Sequence, residues 1–319
     1  MKIKLFTHDD LDGAACAVLL RLWVGDENIA VEHTANPQAL TQRLESWVTS
    51  TERLCFDQTW VTDVSANADL LRQLPGLVLV DHHVTAQPLV TQLADLSVNV
   101  HTHLHGRQTC AAELVHELLL NSGTLSTGRR FFVELVRAYD TWDWVNSEYK
   151  LPAYLSALVY AVGVDEFERR FTARLANGDV NELTLFTEPE RTALAALQAK
   201  EDRECAFMAK QAKVVDCGGL RCAVLFATGN VSAIGHLVCT TMNADFALMV
   251  NAATGKVDLR TDGNAVDLSK LAAGAFNGGG HKRSAGGRLP AELTNSVLTE
   301  AVNLANTWLV NNKDWSGQQ

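Results

Sequence analysis

The chain has 319 residues, 47% of them hydrophobic and 20% charged, with a formal net charge of −10. That length allows two domains of ordinary size, each with its own core, and the composition excludes a disordered chain. The acidity argues against a broad basic face for long duplex DNA or RNA, so an anionic substrate is expected to be small, or held by a local positive patch or by metal ions. No apolar run is long enough to span a bilayer, and the opening MKIKLFTHDDLDG does not read as a signal peptide. A cytoplasmic protein with no membrane partner is therefore expected. The seven cysteines are scattered without a CxxC pair, which reads as reduced, mostly buried thiols and not as a structural zinc site.

In chain order, KIKLFT reads as a strand and AACAVLLRLWV as a helix, followed by the strand IAVEH and the helix PQALTQRLESWV. TWVTDV and GLVLVDHH are apolar strands separated by the helical NADLLRQL. Such alternation predicts a parallel sheet covered on both faces. CAAELVHELLL and RRFFVELVRAY are two further helices. Residues 146–204 lack strand patterns, and the charged, helical stretch within them reads as a linker. A second α/β pattern starts near RCAVLFA. It continues through the helix VSAIGHLVCTTM, a hairpin turning at Thr254-Gly255, the helix VDLSKLAAGAF, the run NGGGHKRSAGG and a terminal helix.

The acids and histidines fall at chosen places. His8, Asp10 and Asp12 follow the first strand, Asp63 ends TWVT, and Asp81, His82 and His83 end GLVLV. In a parallel sheet these strand ends share one edge, where ligands bind. Asp140 lies at the end of a helix. Carboxylates so crowded cannot all ionise without compensation, and divalent cations provide it. Oxygen and imidazole donors without thiolate suit manganese, with magnesium, iron, cobalt or zinc as substitutes. The acids outnumber the needs of one metal, which suggests two ions with a bridging carboxylate. An acid after a strand is often only a helix cap, and Asp10 alone would read that way. Asp9 and Asp143 read as solvated side chains. His101, His103 and His105 read as a segment beside the site, and His33, His116 and His236 carry no special signal. Trp142 and Trp144 could stack on a base, although packing is the commoner role for aromatics at such a junction.

A second constellation is NGGGHKRSAGG. Gly278, Gly279 and Gly280 expose backbone N–H groups, and His281, Lys282 and Arg283 add positive charge, a local anion site. Arg260 is a candidate second anion contact, with a surface strand residue as the plainer reading.

HDDLDG, Asp63, the triplet Asp81-His82-His83, Asp140 and GGGHKRSAGG together resemble the motifs of the DHH phosphoesterase family. That family includes RecJ exonucleases, nanoRNases, cyclic-dinucleotide phosphodiesterases, exopolyphosphatases and manganese pyrophosphatases. The opening motif and the length look most like the nanoRNase B type. The resemblance implies an α/β protein with a parallel-sheet DHH domain over residues 1–145, a helical linker over 146–204 and a smaller α/β substrate-binding domain over 205–319. It implies two manganese ions, one on His8 and Asp10, the other on Asp12, His82 and Asp140, with Asp63 bridging. His83 would act at the scissile phosphate and Asp81 would orient the site. The C-terminal domain would hold the substrate's far end through the glycine run, His281 and Arg260, with the roles of Lys282 and Arg283 open. The expected activity is hydrolysis of oligonucleotides a few residues long in a cleft between the domains. The rivals are a cyclic- or linear-dinucleotide phosphodiesterase, a 3′,5′-bisphosphate phosphatase and a nucleotide sensor without turnover. A homodimer is compatible with all of them.

Overall fold

The computed structural model describes residues 1–120, 127–144, 149–178, 180–289 and 297–312. They fall into two compact units, Met1–Ala195 and Ala196–Gln319. The first opens with β1 (Ile3–His8), α1 (Leu11–Val24), β2 (Ile29–Thr34), α2 (Pro37–Thr49), β3 (Gln58–Thr62), α3 (Ala68–Leu71), β4 (Val78–Asp81), α4 (Gln87–Gln92) and β5 (Ser97–Val100). All five strands pair in parallel, in the order β2-β1-β3-β4-β5. Parallel pairing makes each connection cross a face of the sheet, so both faces are covered, as the alternation predicts. On one face Leu40, Leu44, Leu71 and Leu89 pack with Phe6, Val61 and Leu79. On the other lies α1, buried at every position from Leu11 to Leu20.

A helix buried all round needs cover on its far side as well. After a small hairpin, β6 (His103–Leu104) and β7 (Arg107–Gln108), four helices supply it: α5 (Ala111–Leu120), α6 (Thr127–Asp140), α7 (Leu151–Val162) and α8 (Val164–Asn177). The expected boundary at 145/146 lies outside the described residues. Beyond it, α7 and α8 do not behave as a linker. Leu155, Leu158, Val159, Phe167 and Phe171 belong to the first unit's core. Absence of strands suggested a connector, but what places these helices is the second layer that α1 demands.

The division between units falls within α9 (Glu188–Ala209). The second unit contains β8 (Lys213–Cys217), β9 (Leu220–Phe226), α10 (Val231–Met242), β10 (Phe246–Val250), β11 (Lys256–Arg260), α11 (Leu268–Phe276), β12 (Gly279–Gly280), β13 (Ser284–Arg288) and α12 (Val297–Asn311). Its sheet runs β12-β13-β11-β10-β9-β8, with β9 and β10 parallel and the other pairs antiparallel. Ile234 and Val238 of α10 cover one face, and Leu271, Phe276 and Leu309 cover the other. The hairpin turning at Thr254-Gly255 forms as expected between β10 and β11. Among the described residues no helix is long and apolar enough to cross a membrane.

Candidate metal centre

The chain leaves β1 in one direction to form β2 and in the other to reach β3, so a crevice opens at the carboxyl ends of β1 and β3. Into it β1 delivers His8, β3 delivers Asp63 and β4 delivers Asp81-His82-His83. Asp10 is both helix cap and site residue. One carboxylate oxygen accepts the N–H groups of Asp12 and Gly13, each at 3.1 Å, and the other lies 2.7 Å from His8 Nδ1. Gly13 is required where α1 crosses the end of β1, because a Cβ there would stand 2.1 Å from the His8 carbonyl oxygen. Asp12 is buried, and its two oxygens accept the N–H groups of Ala111 and Ala112, at 2.7 and 2.8 Å. It thereby ties α1 to the N-terminus of α5.

Asp63 has φ of 61°, a left-handed conformation. Such a conformation is uncommon outside glycine, and aspartate is among the residues that adopt it most readily. The fold retains it at the site. His82 Nε2 lies 3.2 Å from Asp63, 3.5 Å from Asp140 and 3.7 Å from Asp12. Three donor groups result: His8, Asp10 and Asp63; Asp12, His82 and Asp140; and Asp63, His82 and His83. Within each, the donor atoms lie within 4.8 Å of one another. The first two are the sets into which the family resemblance divides these residues, with Asp63 in contact with both.

The residues fit divalent cations. Burial first, and then the charges of Asp12 and Asp10, push the Asp63 and Asp140 carboxyls well above the usual carboxylate range. Asp140 also sits at the C-terminal end of α6, where the helix dipole disfavours an anion. Burial lowers His82, which keeps its imidazole neutral and its nitrogen lone pair usable. Among the described residues, His82 Nε2 and Asp63 Oδ2 are buried without a hydrogen-bond partner. Burial opposes protonation of His8, but the Asp10 carboxylate outweighs it and raises the group to about 9, while Asp10 falls to about 2. A proton thus holds this pair together in the absence of a cation. Nearby thiols are poor competitors, since burial and Asp12 push Cys16 and Cys110 well above their ordinary values.

His83 is differently held. Asp81 Oδ1 accepts its backbone N–H at 3.0 Å and its Nδ1 at 2.7 Å. Burial opposes and Asp81 reverses the effect, so His83 is raised. Asp81 therefore fixes the ring and favours its charged form.

A support behind His8 carried no sequence signal. His33 Nδ1 donates to the His8 carbonyl oxygen at 3.0 Å, and its Nε2 lies 2.6 Å from Glu168, 1% exposed on α8. Arg21 closes the chain on Glu168 at 3.1 Å. Position 33 at the end of β2, next to β1, was the available hint. Its partner lies 135 residues away. His101, His103 and His105 fall in none of the donor groups found among the described residues.

The glycine run is not a free loop. Gly279 pairs with Gly286 and Gly280 with Ala285. His281 and Ser284 exchange backbone hydrogen bonds across the turn that carries Lys282 and Arg283. A Cβ at Gly278 would stand 1.9 Å from the Gly286 oxygen, and Gly280 has φ of 138°. These two glycines serve strand approach. Gly279 alone of the three would place a Cβ in open space. Arg283 Nη2 donates to Asn264 at 3.2 Å. Arg260 is not a surface residue. Its side chain is 17% exposed, donates to Ser232 Oγ and the Leu259 carbonyl oxygen, and is lowered by burial. It pairs in register with Ser284, so the structure brings it beside the hairpin.

No family model matches the chain. It is 26% identical to oligoribonuclease NrnB of Bacillus subtilis, over 93% of this chain and 75% of that protein. Its fold resembles the pGpG-specific phosphodiesterase PggH of Vibrio cholerae, with a TM-score of 0.60, 15% identity and coverage of 96% of this chain and 99% of that one. It also resembles RecJ of Thermus thermophilus in complex with Mn2+, with a TM-score of 0.58 and 14% identity, over 97% of this chain and 52% of that one. Such likeness, running nearly end to end and taken with the acids and imidazoles gathered where the Asp81-His82-His83 triplet ends its strand, makes this chain a metal-dependent phosphoesterase that resembles the DHH family.

Proposed function

We propose that the protein hydrolyses phosphodiester bonds in very short oligonucleotides to release mononucleotides. Two divalent cations, manganese by preference, would be held by His8, Asp10, Asp12, Asp63, His82 and Asp140. The observation that carries the reading is the Asp63 carboxylate, grouped with His8 and Asp10 and lying 3.2 Å from His82 of the Asp12, His82 and Asp140 group, with His83 tied to Asp81. When bound, such ions supply Lewis-acid charge at a phosphoryl oxygen and lower the pKa of water. The chain's own residues do the rest. Asp63 keeps the donor groups in one frame. His83, fixed at Nδ1, holds a proton for the leaving oxygen or opposes charge on the phosphate. Residues 1–145 would carry the chemistry. Residues 205–319 would bind the substrate's distal phosphate or base through Arg260, the Gly278–Gly280 segment, His281 and Arg283. Among the glycines, Gly279 leaves most room for a ligand.

The likeness to a pGpG-specific phosphodiesterase favours a second reading, in which a phosphorylated guanine dinucleotide is the preferred substrate. The deciding measurement is a panel with manganese: RNA dinucleotides with and without a 5′-phosphate, longer RNA, cyclic dinucleotides, adenosine 3′,5′-bisphosphate and pyrophosphate. Dinucleotides are expected to give the highest kcat/KM, at least about tenfold above longer RNA. Preference for pGpG alone would favour the second reading. Preference for pyrophosphate, bisphosphate or an intact cyclic dinucleotide would overturn the first.

A further inference from the structure

We propose that Trp142 is a stacking platform for the nucleobase attached to the phosphate under attack. This rests on the proposed action on short nucleotide chains and adds a base-recognition residue to it. Trp142 follows Asp140 by two residues, and the Asp140 carboxylate lies 3.5 Å from His82 Nε2. Two residues of chain span at most about 7 Å, so the indole is tethered within one sugar's reach of the donor groups.

The ring is presented and braced. Trp142 is 41% exposed, a large apolar surface left in water beside a polar site. Its φ is 63°, which a bulky residue rarely adopts and which turns the chain sharply after α6. Behind it the indole of Trp144 stacks at 6.2 Å and 28°, and Trp144 stacks in turn on Tyr139 at 5.8 Å and 13°. Lys150 Nζ lies 5.5 Å from the Trp144 ring. The segment is pinned from below. Thr141 donates to the Arg137 carbonyl oxygen at 2.8 Å, Trp142 N–H donates to the Tyr139 carbonyl oxygen at 3.2 Å, and buried Arg137 grips Asp143 at 2.6 Å. Packing alone would bury the end of such a stack. Here its outermost ring is the exposed one. A base completes the ladder and covers that surface, and every base has a π-face, so the contact tolerates sequence.

The test uses the full-length protein with magnesium. Tryptophan fluorescence follows binding of AMP and of ribose 5-phosphate to the wild type, W142A and W142F, with metal content measured in each. The wild type is expected to bind AMP about ten to a hundredfold more tightly than ribose 5-phosphate. W142A should lose that margin without losing metal, and W142F should restore part of it. Equal affinity of the wild type for the two ligands, or an AMP margin that survives in W142A, overturns the proposal. Loss of metal from both variants also overturns it, because Trp142 would then be supporting Asp140. A margin dependent on Trp142 in a protein that cleaves no dinucleotide would keep the platform and overturn the proposed activity.

Discussion

At Asp63 two demands meet. The carboxyl is buried among Asp12, Asp10 and Asp140, and the fold holds it in a left-handed conformation. In the unfolded chain it ionises above about pH 3.9. In the folded, metal-free protein it keeps its proton to much higher pH, so folding retains a proton that the unfolded chain releases. The sign follows from linkage: metal-free stability falls as pH rises from about 4 toward the folded pKa. Asp63→Asn should weaken that dependence, leaving the share that Asp140 contributes, and raise the Tm in chelator at pH 7, while metal content and turnover collapse. Melting curves from pH 5 to 8, with chelator and with manganese, check it. A variant that keeps full metal content and near-normal rate would refute the bridging role. His83→Ala makes a contrasting case. Since Asp81 engages its Nδ1 and the two groups proposed to hold the ions do not need it, metal should stay while kcat falls at least about a hundredfold. Loss of an ion would make His83 a ligand. The acids of HDDLDG and DHH were legible because strand ends of a parallel sheet share an edge. His33 was not, because nothing at position 33 reveals Glu168 in a helix read as linker.

Among the elements, the start of α9 offers a clean pH test away from the centre. Thr187 and Glu190 cap it reciprocally: Glu190 accepts the Thr187 N–H at 2.9 Å, and its own N–H donates to Thr187 Oγ1 at 3.4 Å. Arg174 of α8 donates to both Glu190 oxygens at 2.7 Å. Burial opposes ionisation, but Arg174 and the cap outweigh it and hold Glu190 below its usual range. This stability is therefore present above the unfolded value of about 4.3 and lost as pH falls through the lower folded value. Glu190→Gln should cost about 1–3 kcal/mol at pH 7 and lower the Tm by several degrees, with the gap to wild type narrowing as pH falls below the unfolded value of about 4.3. A gap independent of pH would mean that shape, not charge, carries the cap. The elements also show where sequence patterns fail. β5 is four residues long with only Val100 fully buried, too short to leave an alternation. β12 and β13 are rich in glycine, which is depleted in strands, and only the pairing of β13 with β11 and of β12 with β13 reveals them.

For the whole molecule, each unit builds cores of its own, and every residue of the donor groups belongs to the first. Metal holding and distal substrate binding should therefore separate by mutation. His281→Ala and Gly279→Trp should reduce kcat/KM on a dinucleotide about tenfold or more, leave bound metal unchanged and spare a nitrophenyl phosphodiester that reaches only the ions. Equal losses on both substrates would show that the second unit supports the centre itself. One further consequence lies in the cysteines. Six are buried, and only Cys55 is exposed. Gly279 faces open space in the glycine hairpin. On a Cys55→Ser background, a thiol introduced at position 279 becomes a single addressable handle. A bulky label attached there would fill the space proposed for a ligand, so modification of that single thiol should block distal substrate binding while sparing the metal centre.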